Sequence, residues 1–132
     1  MIVVDASVVV KFLKRDEEGY ERAVKILGRA SRGEKLVVPD LCFVEVANYL
    51  ATKPEVSIAQ VKEGLDIIYG LDLKEEKIDK DTLFQSAQMA KKKGTAVYDM
   101  VYAMLAKKLG AKLVTADKNF ATKTGFDWVV VV

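Results

Sequence analysis

With 132 residues, 51% hydrophobic and 30% charged, the chain has the composition of a single folded domain, 1–132, able to bury a core without disulfides or metals. A net charge of +2 argues neither for nor against a polyanionic partner, and a single Cys excludes an intramolecular disulfide. The absence of His excludes a Ser-His-Asp triad, an imidazole base and a His-ligated zinc, so an enzyme here works with carboxylates, Lys, hydroxyls, Tyr or an oxygen-held metal.

The β-branched run Ile2 to Val4, ending at Asp5, predicts a first strand. Helices are expected over Ser7–Leu13 and Glu18–Ala30, the second with Tyr20, Val24, Leu27 and Ala30 on one face and Gly33 as its end. Leu36 to Val38 predicts a second strand, after which Asp40 is expected to cap a helix reaching Thr52, with Pro54 as a stop. Ser57 and Gln60 fit a capping box opening a helix whose buried face is Ile58, Val61, Leu65 and Ile68. A strand is expected around Lys77 and Ile78. Asp79 or Asp81 then caps a helix through Lys93, closed by Gly94, and a further helix runs from Thr95 to Leu109 and Gly110. Leu113 to Thr115 predicts a strand, followed by a helical turn near Asp117 and a last strand over Trp128–Val132, whose apolar run is expected to lie buried in the sheet.

Strands alternate with helices, and their cores are continuous Val, Leu and Ile. That pattern belongs to the α/β class, with a parallel sheet covered by helices on both faces. No segment has the roughly 20 apolar residues of a membrane span. The N-terminal run holds Asp5 and has no basic start, so it is a poor secretory signal and the chain is expected in the cytoplasm, away from membranes. Asn and Gln together number only five, a composition shared by thermophilic proteins and by codon-biased ones. Residues 91–123 hold eight Lys against two Asp; this basic stretch suits helix C-termini and polyanion attraction equally well.

Four acids stand in apolar company: Asp5 in IVVDASVVV, Glu45 in LCFVEVANYL, Asp99 in AVYDMVYAML and Asp117 in KLVTADKNF. A buried carboxylate costs several kcal/mol unless it is paired or coordinated, and no Lys or Arg shares a helix face with Glu45 or Asp99 nearby in sequence. Asp5 and Asp117 each end a parallel strand, the edge where open α/β sheets bind ligands. Asp99, in the first turn or so of a helix, and Glu45, on the helix after strand two, can face that edge. Like charges so close repel by about 4 kcal/mol per pair at an effective dielectric of 20, and a divalent cation relieves this. Oxygen-only ligands favour Mg²⁺ or Mn²⁺ over zinc. Ordinary alternatives exist: Asp5 and Asp117 also suit strand-end turns, and Asp99 a helix cap. Ser7, Asn48 and Thr115 are accessory candidates, each equally consistent with a structural hydrogen bond. Tyr98 and Tyr102 share a helix face, and at least one reads as core; Cys42 reads as a buried small residue.

The ordered set VVDASVVVKF, VPDLCFVEVANYL and VYDMVYAMLAKKLGAKLVTADKNF resembles the PIN-domain ribonucleases, above all the VapC toxins of VapBC toxin–antitoxin pairs, from Ile2 to Phe120. The resemblance implies an α/β/α sandwich around a parallel sheet and a Mg²⁺- or Mn²⁺-dependent endoribonuclease. It assigns the acidic quartet to Asp5, Glu45, Asp99 and Asp117, the accessory hydroxyls to Ser7 and Thr115, and the Asn after the Glu to Asn48. It also implies RNA as substrate, a small VapB-like antitoxin and a homodimer. Met100 departs from the small residue such toxins often carry there. Two rival readings are a receiver-like phosphoacceptor, which leaves Glu45 unexplained, and a non-catalytic RNA-binding or scaffold domain of the same fold.

Overall fold

Each β-branched segment pairs with its neighbours in one direction. In a computed structural model describing all 132 residues, the strands are β1 (Ile2–Val4), β2 (Leu36–Pro39), β3 (Leu73–Glu76), β4 (Lys112–Thr115) and β5 (Val129–Val131). They form a five-stranded parallel sheet of order β3-β2-β1-β4-β5, with Ile2 opposite both Leu36 and Lys112. The helices are α1 (Ala6–Phe12), α2 (Tyr20–Leu27), α3 (Leu41–Thr52), α4 (Ile58–Tyr69), α5 (Lys80–Lys93), α6 (Val97–Leu109) and α7 (Lys118–Thr124). Val3, Val4, Val37, Val38 and Leu113 lie fully buried in the sheet, as a doubly covered parallel sheet requires. The chain steps outward from β1 to β2 and β3, then crosses back to β4 and β5. The strand order therefore reverses between β1 and β4, the place where ligands bind in such sheets.

Several local expectations shift. The strand expected at Lys77 and Ile78 lies earlier, over Leu73–Glu76, pairing Leu73 with Leu36 and Glu76 with Pro39. It is an edge strand, so its polar sequence LKEE is tolerated and Lys74 bridges to Glu76 at 3.3 Å. The valines of β5 are not buried: as the other edge, it leaves Val130 41% and Val131 38% exposed. On α2, Ala23 and Leu27 are buried while Val24 faces solvent. On α4, Ile58 is exposed, and the buried positions are Gly64 and Ile68. Gly64 lets α4 approach α3 so closely that a Cβ there would lie 2.8 Å from Leu50 Cδ1, and this contact sets the helix's rotation. The Ser57–Gln60 capping box forms as expected. Asp40 occupies the cap position of α3, but in helical conformation, and its side chain caps nothing.

The α5–α6 connection matters for the site. The side chain of Asp79 caps α5 by accepting from Thr82 N–H at 2.8 Å. Gly94 at φ +71 ends α5 in the left-handed conformation that a Cβ disfavours, and α6 starts three residues later. Asp99 is thereby carried in the first turn of α6. No helix is long and apolar enough to cross a membrane.

Candidate active site

Asp5 leaves β1 in extended conformation and its carbonyl accepts from Val8 and Val9 N–H, opening α1. Its carboxylate Oδ2 accepts from Ser7 Oγ at 2.6 Å and from Thr115 Oγ1 at 2.8 Å. The same hydroxyls accept in turn: Ser7 Oγ from Ala116 N–H and Thr115 Oγ1 from Asp117 N–H, both at 3.0 Å. Ser7 and Thr115 thus stitch the end of β1 to the end of β4 and fix the Asp5 carboxylate between them. Burial pushes the Asp5 carboxyl above its ordinary range against these hydrogen bonds, and the charge of Asp117 adds to the rise.

Glu45 projects from α3 and is half-buried; Tyr102 O–H on α6 donates to its Oε1 at 2.7 Å. Burial raises the Glu45 pKa to about 7, opposed by the Tyr102 hydrogen bond and reinforced by the charges of Asp5 and Asp99. Asp99, also half-buried, is raised to about 6 by burial first, then by Asp5 and Asp117. Asp117 follows β4, and its Oδ1 caps α7 by accepting from Phe120 N–H at 3.0 Å. The carboxylates therefore share one region at the strand reversal and feel each other's charge. None of the four forms an ion pair.

No three of these acids stand at the spacing of a finished metal site. The Asp5 carboxylate is turned onto its hydroxyl pair and that of Asp117 onto the start of α7. In chemistry the donor set fits a hard divalent cation: four carboxylates, no His, and a Cys42 thiol that burial pushes up to about 12. Thr115 is only 1% exposed, so the hydrogen bonds of its hydroxyl with Asp5, Ser7 and Asp117 N–H are internal to the site. Asn48 is exposed and its side chain makes no hydrogen bond; it is not drawn into this network. Tyr98 is 59% exposed, and the core tyrosine is Tyr102. Its hydroxyl on Glu45 was not foreseen from sequence. Two signals for it were present: Glu45 lacked any nearby cation, and Tyr102 lies three residues after Asp99 on one helix face. The basic stretch divides. Lys91, Lys92 and Lys93 end α5, at the turn leading to Asp99. Lys108 lies nine residues beyond Asp99, roughly 13 Å along α6, and bonds Asp79 at 2.7 Å. Lys107 lies over the Trp128 ring.

The PIN-domain family model matches residues 2–125 of the chain. The chain belongs to the PIN-domain family. Ribonuclease VapC3 of Pyrobaculum aerophilum is 33% identical over 128 residues, covering 92% of this chain and 93% of that protein. Among solved structures, Mycobacterium tuberculosis VapC20, a sarcin–ricin loop cleaving toxin, superposes with TM-score 0.73 at 14% identity, over 92% of this chain and 94% of that one. VapBC2 from Rickettsia felis, bound to a DNA fragment from its promoter, gives TM-score 0.69 at 16% identity over 100% and 98%. The α/β/α arrangement expected from sequence is the fold of this PIN domain, and the receiver-like reading falls away.

Proposed function

We propose that this PIN domain is a divalent-metal-dependent endoribonuclease, the toxin of a toxin–antitoxin pair acting in the cytoplasm. The observation that carries the reading is a group of carboxylates at the strand reversal, two raised to about 7 and about 6, none of which forms an ion pair. Kinship with Ribonuclease VapC3 supports RNA as the substrate.

Asp5, Glu45, Asp99 and Asp117 would hold Mg²⁺ or Mn²⁺, which when bound supplies charge for the phosphate oxygens and acidity for a water. Ser7 and Thr115 hold Asp5 in one orientation from two sides. Tyr102 holds Glu45. A carboxylate not fully engaged by the ion would be the one to accept the proton of a water. Single-stranded or looped RNA fits best, because its backbone can be splayed into a groove. Lys91 to Lys93 and Lys118 supply attraction to that backbone.

Control of such an enzyme calls for a small antitoxin carrying Arg beside apolar anchors, a cation among the carboxylates. The likeness to the VapBC2 complex of Rickettsia felis supports an antitoxin partner. Self-association into a homodimer would cover the apolar side chains that α4 leaves out, with Ile67 41% and Tyr69 66% exposed; light scattering reads this directly. Purified protein should cut RNA with Mg²⁺ or Mn²⁺ and stop on adding EDTA. Cleavage that survives exhaustive chelation contradicts the proposal.

A further inference from the structure

Beside the acidic group lies a depression of opposite charge. A cavity of about 180 Å³ opens between α1, the loop before α2 and the start of α7, with Lys11, Glu18, Gly19, Arg22, Ala116 and Lys118 in its wall. Its wall is continuous with the acidic site: Ala116 N–H bonds Ser7 Oγ at 3.0 Å, and Lys118 directly follows Asp117. Three cationic side chains and one carboxylate side chain line it, with the last residue, Val132, also in the wall, and none of Lys11, Arg22 and Lys118 is engaged in an ion pair.

The lysine of α1 is held in place here. Lys11 Nζ reaches the Glu18 carbonyl at 3.4 Å, and its stem lies against Gly19. A Cβ at Gly19 would come within 2.7 Å of Lys11 Cδ, and the φ of +94 independently calls for glycine. The loop thus closes onto Lys11 while the exposed Arg22 guanidinium on α2 and the exposed Lys118 ammonium on α7 remain unpaired. Arg presents a planar fork suited to phosphate oxygens, and Lys a point charge.

We propose that this cavity binds a backbone phosphate of the RNA flanking the scissile one, so that the strand runs from the acidic carboxylates into the Lys11–Arg22–Lys118 cradle. The inference rests on the ribonuclease reading and adds a direction for the strand. A backbone contact of this kind fixes register without reading bases.

The test is salt-dependent binding of a fluorescent single-stranded RNA to the full chain in EDTA, followed by steady-state cleavage in Mg²⁺. Arg22→Ala and Lys118→Ala should each weaken binding and reduce the slope of log affinity against log salt by about 0.7, the value for one phosphate contact on a single strand. Both should raise KM with kcat retained, and Glu18→Gln should tighten binding. Lys108→Ala, distant and paired with Asp79, should leave the slope unchanged. If the wild type cleaves RNA but Arg22→Ala and Lys118→Ala keep its slope and KM, or Lys108→Ala lowers the slope equally, the cradle is refuted and the nuclease reading survives. If the wild type neither binds nor cleaves RNA, both are refuted.

Discussion

Replacing Tyr102 with Phe removes one oxygen from a fully buried side chain and leaves its packing in place. The lost contact is the 2.7 Å hydrogen bond to Glu45 Oε1. A hydrogen bond to a charged group contributes about 1.5–3 kcal/mol, and about 1.4 kcal/mol corresponds to one pKa unit. Full transmission would raise the Glu45 pKa by about one to two; Glu45 is half-exposed, and solvent screening brings the expectation to about one. The Glu45 carboxyl, at about 7 in the wild type, should then titrate near pH 8, as roughly one unit is the shift expected. Carbon NMR of the carboxyl group in the metal-free protein measures this directly. Because a protonated Glu45 cannot ligate, Mn²⁺ affinity at pH 7 should fall about fivefold, as the ionised fraction drops from about one half to about one tenth, and recover in more alkaline buffer. An unchanged Glu45 titration, or an affinity loss equal at every pH, would refute the argument.

Asp5→Asn and Asp99→Asn should each abolish cleavage while metal-free stability, read by thermal melting, stays equal or rises, since each removes one charge from a repelling group. Metal-free stability should also fall as pH rises. Glu45 and Asp99 have folded pKa values of about 7 and about 6, above their unfolded values, so their favourable contribution is complete below the unfolded values and is lost as pH climbs through the folded ones. The melting temperature should therefore be higher near pH 5 than near pH 8, and Mn²⁺ should restore it at the higher pH; a melting temperature that climbs with pH in EDTA contradicts this. Thr115→Val should cost about 1–3 kcal/mol in denaturant unfolding, because it removes the acceptor of the partly buried Asp117 N–H as well as losing the bond to Asp5; a loss below about 0.5 kcal/mol would contradict this.

The parallel sheet and most helices were legible because their signals are local. Continuous β-branched runs marked β1, β2 and β4, and glycines marked the ends of α5 and α6. Glu45 stood out because no neighbour in sequence could neutralise it. What failed depended on contacts between distant segments. β3 has no apolar pattern of its own, and its place is set by pairing with β2. The rotation of α4 follows from Gly64 meeting Leu50, and the exposure of β5 from its position at the sheet edge. The Tyr102–Glu45 bond spans 57 residues. Asn48 lies one turn beyond Glu45 and faces solvent, outside the hydrogen-bond network that joins distant segments. The cradle was invisible for the same reason, since Lys11, Arg22 and Lys118 meet only after α1, α2 and α7 pack.

The proposed nuclease activity requires that Asp5, Glu45, Asp99 and Asp117 act together as one divalent-cation site. Calorimetric titration of Mn²⁺ into the metal-free wild type, Asp5→Asn and Asp99→Asn proteins, at a pH above the Glu45 pKa of about 7, decides it. Saturable binding by the wild type that is lost or greatly weakened in both variants is the predicted result. Equal Mn²⁺ affinity in all three proteins, or no binding by the wild type, would contradict it.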